Sequence, residues 1–305
     1  MSGDQFTVRF RGVRGGYPVP GPTTVNVGGN TTCYEVRVAG HLIIVDAGTG
    51  IISLGKEMLA HHHATGVPMR ATILITHTHH DHTQGFPFFL PARHAQCTLY
   101  IFGPKLLAED LQEVLAQAMA PPVFPLGLEE LDSQRYIHHI RQGDLIVLSE
   151  PATSPRLLGL RDDQEQVPRD AVTVRVHRSY NHPKGGVLIF RIEHQERSVV
   201  VATDVEGYCG GDQRLVRFAQ GTDLLIHDAE YDEDEYAGQS LIRQGWGHST
   251  WRMAADVALA AGAKRLALVH HNASHDDAFL EAMERKAQAV FPDTFIAREG
   301  MVVDL

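Results

Sequence analysis

Thr76-His77-Thr78-His79-His80-Asp81-His82 puts four histidines and an aspartate within seven positions, directly after the apolar run Ala71-Thr72-Ile73-Leu74-Ile75. The run reads as a buried strand, so the cluster stands where that strand leaves the core. On extended backbone alternate side chains share a face, which turns His77 and His79 the same way. Asp81 and His82 follow where the chain bends into Thr83–Phe89. Nitrogen and oxygen donors in this arrangement suit borderline divalent cations such as zinc. An accidentally His-rich polar loop is the plainer reading. It accounts neither for the aspartate among the imidazoles nor for the strand before them.

Outward from the cluster the chain alternates strands and helices. Phe6–Val13, Cys33–Val38 and His41–Val45 read as strands, separated by Gly15-Gly16-Tyr17-Pro18 and Gly28-Gly29-Asn30, whose glycines suit tight turns. Ile51–Ala64 reads as a helix and Cys97–Phe102 as a strand. Lys105–Ala118 carries Leu106, Leu107, Leu111, Val114 and Leu115 on one helical face. Residues 150–170, rich in Pro, Arg, Asp and Gln, read as an exposed loop between two halves of about 1–165 and 170–305. Strands resume at Val172–Val176, Gly186–Ile192, Ser198–Ala202, Leu224–His227 and Leu266–His270. Ser249–Ala263, with Ser249 or Thr250 as its cap, and Phe279–Val290 read as helices. Two successive rounds of strands and helices, with no strong linker, predict a single α/β domain over 1–305 with sheets inside and helices outside.

Composition narrows the function classes. Apolar residues make up 43% and charged residues 21%, as in an ordinary globular protein. Lys and Arg total 27 against 37 Asp and Glu, a net charge of −10, which argues against an extended nucleic-acid surface but leaves room for a small anionic substrate beside metal ions. The first residues lack a basic stretch followed by an apolar one, and no apolar run approaches membrane-spanning length. Cys33, Cys97 and Cys209 are odd in number and far apart, which fits a reduced, cytoplasmic setting, with Cys209 read as a loop thiol. The oligomeric state is left open, a homodimer among the options.

The cluster resembles the HxHxDH motif of the metallo-β-lactamase superfamily, and the resemblance runs over almost the whole chain. Val45-Asp46-Ala47-Gly48 looks like the family's strand ending in an Asp-x-Gly turn. Asn181-His182-Pro183, Val200-Val201-Ala202-Thr203-Asp204 and Leu268-Val269-His270-His271 stand where the family has its next metal histidine, its bridging carboxylate and its last metal histidine. The resemblance implies the αβ/βα four-layer sandwich, two central mixed sheets flanked by helices. It also implies two divalent ions, zinc first, with manganese or iron as substitutes. His77, His79 and His182 would hold one and Asp81, His82 and His270 the other, with Asp204 between them. His270 is preferred over His271 by register with the motif, since strand neighbours face opposite ways. Asp46 is the candidate to orient a ligand, although it could equally cap its own turn.

A second constellation narrows the branch. Asp223-Leu224-Leu225-Ile226-His227-Asp228-Ala229 runs a strand into a His-Asp pair, and Gly247-His248-Ser249-Thr250 opens a helix. Together they resemble the ribonuclease Z and cyclic phosphodiesterase branch, in which a carboxylate orients the histidine of an HST motif. The resemblance gives Asp228 the orienting role and His248 the catalytic one. His61-His62-His63, near the end of a helix, is read as exposed. The expected activity is binuclear metal-dependent hydrolysis of a phosphodiester or cyclic phosphate by a hydroxide shared between the metals. Lactonase, thioesterase or sulfatase chemistry, tRNA 3′-end processing, and a non-enzymatic metal-stabilised binding role are the alternatives.

Overall fold

The computed structural model describes residues 5–105, 110–162, 167–207, 211–238 and 241–305. Two mixed sheets, of seven and eight strands, form the centre. The strands run β1 (Phe6–Gly12), β2 (Cys33–Val38), β3 (His41–Val45), β4 (Met69–Leu74), β5 (Cys97–Pro104), β6 (Gln134–Ile140), β7 (Leu145–Leu148) and β8 (Arg156–Leu158). They continue as β9 (Val172–Ser179), β10 (Val187–His194), β11 (Arg197–Ala202), β12 (Leu224–Asp228), β13 (Leu266–Val269), β14 (Thr294–Ile296) and β15 (Val302–Asp304). The first sheet is ordered β15-β1-β2-β3-β4-β5-β6 and the second β14-β13-β12-β11-β10-β9-β7-β8.

Side-chain alternation explains why the first sheet sits between two apolar layers. In β2 and β3, Tyr34, Val36, Val38, Ile43 and Val45 face the second sheet and join Val174, Val176 and Ile189 in one core. Cys33 and Ile44 face outward into a second core with Ile51, Leu54 and Met58 of helix α1 (Ile51–Thr65). β3 therefore runs apolar from Leu42 to Val45, whereas the outward face of β2 also carries Glu35 and Arg37, with Glu35 paired to Arg11.

Several expected elements change in extent. Residues 150–170 are not loop throughout, because β8 pairs with β7 in the second sheet; positions 163–166 lie outside the described residues. Of the expected helix at Lys105–Ala118, the described part begins at Leu111, where Asp110 and Glu113 form a reciprocal cap, and positions 106–109 lie outside the described residues. Thr250, not Ser249, caps the helix Trp251–Ala261 by accepting from the Met253 N–H; the Ser249 hydroxyl donates instead to the Val205 carbonyl. His62 is buried, its Nδ1 2.8 Å from the Val67 carbonyl, while His61 and His63 stay exposed. Cys33 and Cys97 are buried free thiols, and Cys209 lies outside the described residues. Among the described residues no helix is long and apolar enough to cross a membrane.

The parallel strands position the site. β3 and β4 run parallel, as do β11, β12 and β13. The Leu188 N–H of β10 donates to the Thr76 carbonyl just beyond β4 and so joins the two sheets at that edge. The His cluster, Asp204, Asp228 and His270 all stand at the C-terminal ends of these strands.

Candidate metal centre

Beyond β4 the chain passes His77 and His79 and closes into a single helical turn, His80–Thr83, which turns Asp81 and His82 inward. Ligand atoms of His77, His79 and His182 lie within 4.8 Å of one another, and those of Asp81, His82, Asp204 and His270 do the same. His82 Nε2 is 3.2 Å from an oxygen of Asp81 and 3.2 Å from one of Asp204. His270 Nε2 is 3.1 Å from Asp81 and 3.2 Å from Asp204. Zn–N and Zn–O bonds of ~2.0–2.1 Å in a tetrahedron set donors ~3.3–3.4 Å apart, close to these spacings. His77 Nε2, buried without a hydrogen-bond partner and 3.7 Å from Asp204, is an unused donor of the kind a cation would engage. The seven residues fit a two-cation centre.

Electrostatics point the same way. Burial resists charge on His82 and His270, but Asp204 and Asp81 outweigh it and raise both well above the ordinary histidine range. Burial alone would raise the Asp81 carboxyl, yet His82 and His270 hold it far below the carboxylate range. The two aspartates thus concentrate negative charge where positive charge is wanted. Burial lowers His77 and His182 toward the neutral form that ligates metal, whereas on His82 and His270 the aspartates favour a proton that a bound cation would displace.

The ligand candidates are oriented by their other atoms. Asp46 is fully buried; it accepts from Thr76 N–H at 2.8 Å and lies 2.8 Å from His82 Nδ1, fixing the ring that presents Nε2 inward. His182 Nδ1 sits 3.1 Å from the Gly247 carbonyl. Gly15 allows the closest approach, because a Cβ there would collide with the His270 ring, while the Gly16 N–H donates to Asp81 at 2.9 Å. The N-terminal glycines, read as turn residues, therefore also pack on the cluster. His271 points elsewhere, its Nε2 3.4 Å from the Ala297 carbonyl.

His248 stands beside the cluster with Nδ1 2.8 Å from Asp228, which also accepts from the Ser249 and Asp204 N–H groups. With Nδ1 engaged, Nε2 is the nitrogen left for a ligand. Burial opposes the charged form, but Asp228 and Glu230 outweigh it and push His248 up to about 9. The rings of His248 and His270 stack 4.8 Å apart. Glu230 was not singled out in the sequence. Its carboxylate lies 3.2 Å from His248 Nδ1 and 3.3 Å from His270 Nδ1, and it accepts from Asn272 at 2.9 Å. The available signal was its spacing, two residues past Asp228. A cavity of about 470 Å³ opens over these groups and is lined by His79, Asp81, Asp204, Glu230 and His248.

A family model described as the beta-lactamase superfamily domain matches residues 41–271. The chain belongs to the metallo-β-lactamase superfamily. A ribonuclease Z of Metallosphaera sedula is 28% identical over 289 residues, covering 89% of this chain and 92% of the relative. A ribonuclease Z of Exiguobacterium sibiricum is 30% identical over 259 residues, covering 76% and 81%. The metallo-β-lactamase fold protein YhfI from Bacillus subtilis superposes with a TM-score of 0.66 at 19% identity, over 99% of this chain and all of that one, and so supports the fold. The superfamily's αβ/βα sandwich is the one observed, with divalent metal ions implied at the His/Asp groups.

Proposed function

We propose that this metal-dependent hydrolase is a phosphodiesterase in which His77, His79 and His182 hold one divalent ion, Asp81, His82 and His270 a second, and Asp204 stands between them. When bound, such ions lower the pKa of water toward neutrality and offset charge on phosphoryl oxygens. The chain's own groups do the rest. Asp46 holds His82 in one tautomer through the 2.8 Å contact to Nδ1. Asp228 holds His248 so that Nε2 can give a proton to the departing oxygen or bind a phosphoryl oxygen, and Glu230 supports both His248 and His270 from behind.

The observation that carries this reading is the His248–Asp228 pair, 2.8 Å apart, with His248 lining the same cavity as His79, Asp81, Asp204 and His270 and Asp228 buried behind it. A purely structural metal site needs no carboxylate-held imidazole lining the cavity beside it. A second reading, RNA processing, is favoured by the relatives named ribonuclease Z. A hydrolysis panel on zinc- or manganese-reconstituted protein tests both. It comprises bis-p-nitrophenyl phosphate, cyclic nucleotides, an unprocessed tRNA, a lactone and a sulfate ester. Diester turnover above the lactone and the sulfate is expected. Cleavage of the tRNA alone would favour the second reading, and lactone hydrolysis without diester hydrolysis would contradict both.

A further inference from the structure

The segment 241–247 carries side chains that the hydrolytic chemistry does not use. Trp246 is 47% exposed, and Leu241, Arg243 and Trp246 line the same cavity as His79, Asp204 and His248. The segment is nonetheless held in place. The buried Glu206 carboxylate accepts from the Gly245 N–H at 2.7 Å, the Gly247 N–H at 2.9 Å and the Tyr236 hydroxyl at 2.6 Å. The Trp246 N–H closes a turn onto the Arg243 carbonyl at 3.1 Å. Arg243 lies over the Tyr231 ring, 5.2 Å from its centroid, and donates to the Glu235 carbonyl at 2.7 Å. Tyr231 in turn meets His248 edge-on at 6.1 Å.

We propose that Trp246 and Arg243 form a nucleoside-phosphate subsite, with the indole stacking on a nucleobase and the guanidinium pairing with a phosphoryl oxygen of the same substrate. This rests on the phosphodiesterase reading and specifies its substrate class. Leu241, Ile242 and Trp246 together expose apolar surface in one short segment, and Glu206 fixes the backbone on either side of Trp246 where it lines the cavity. Every nucleobase offers a planar π face that such a side chain can stack against. Arg243 is the one Arg or Lys that lines this cavity among the described residues, so it selects an anionic ligand over a neutral sugar or lipid. Trp246 is two residues from His248, at most ~7 Å along the chain, so a single nucleotide can reach both.

The test is isothermal titration calorimetry on zinc-reconstituted protein with adenosine 5′-monophosphate and ribose 5-phosphate, which differ only in the base. The nucleotide should bind about tenfold more tightly, on the scale of aromatic–base stacking. Trp246→Ala should remove that preference and leave ribose 5-phosphate binding unchanged, and Trp246→Phe should keep most of it. Arg243→Gln should weaken both ligands by a similar factor. Equal binding of the two ligands by the unmodified protein, or an equal loss for both in Trp246→Ala, would overturn the subsite. Bis-p-nitrophenyl phosphate turnover by the same preparation reads the phosphodiesterase assignment separately. Turnover with no base preference removes the subsite alone, whereas no turnover with both metals bound removes the underlying reading.

Discussion

Asp46, Asp204 and His270 adopt left-handed backbone, with φ of 62°, 56° and 59°. Each follows the last residues of a parallel strand, and each costs of the order of 1–3 kcal/mol that the surrounding contacts must hold in place. That conformation explains the outcome for the adjacent histidines better than strand alternation does. β13 ends at Val269, and the left-handed turn at His270 sends its ring to Asp81 and Asp204 while His271 continues toward Ala297. His270→Ala should therefore lose one metal and most turnover, and His271→Ala should keep its metal; metal content of the purified variants checks this, and a reversed ranking would make His271 the ligand. At this scale the sequence was informative, since the seven candidate donors could all be named from it, although His182 follows the polar stretch His177–Asn181 and not an apolar run. Glu230 was not legible in that way, because its role arises only once the His248 segment folds back beside the end of β12.

Most strands could be read as elements because they either alternate apolar and polar residues, as β1 and β9 do, or run apolar, as β12 and β13 do. β14 and β15 have only three residues each and take their structure from pairing with β13 and β1, which no local pattern encodes. β6, Gln134–Ile140, is half polar, and its register is set by β5. In β12 the strand itself carries a titratable group with a measurable consequence. His227 is fully buried, with Nδ1 2.8 Å from the Asp228 carbonyl, and burial lowers it from 6.5. The unfolded chain then binds a proton that the folded chain does not. The stabilising contribution is present above 6.5 and is lost as pH falls toward the lower folded value. His227→Gln should flatten the loss of urea stability between about pH 7.5 and about pH 5.5; an unchanged slope would mean that His227 titrates alike in the folded and unfolded states.

For the whole molecule, the two sheets deliver five histidines and two aspartates to one edge, more donors than one tetrahedral zinc can use. Two metals per chain are expected by elemental analysis after reconstitution, and removing them with a chelator should lower Tm, because the buried carboxylates lose their counter-charge. Asp204→Ala should lose metal from both sites, and retention of two tightly bound ions would remove it from the shared position. The fold class was legible from the alternation of strands and helices. Which strand joined which sheet was not, since β7 and β8 cross to the second sheet before residue 160 through pairings invisible in their own sequence.

The most direct test of the phosphodiesterase account is the turnover of His248→Ala, with metal content determined on the same preparation. Both metals should remain, while turnover falls by about 10²–10⁴, the usual scale for a positioned acid–base group. The loss should be smaller for a p-nitrophenyl diester, whose leaving group needs little protonation, than for an unactivated diester. Unchanged rates on both substrates, with both metals bound, would contradict the account.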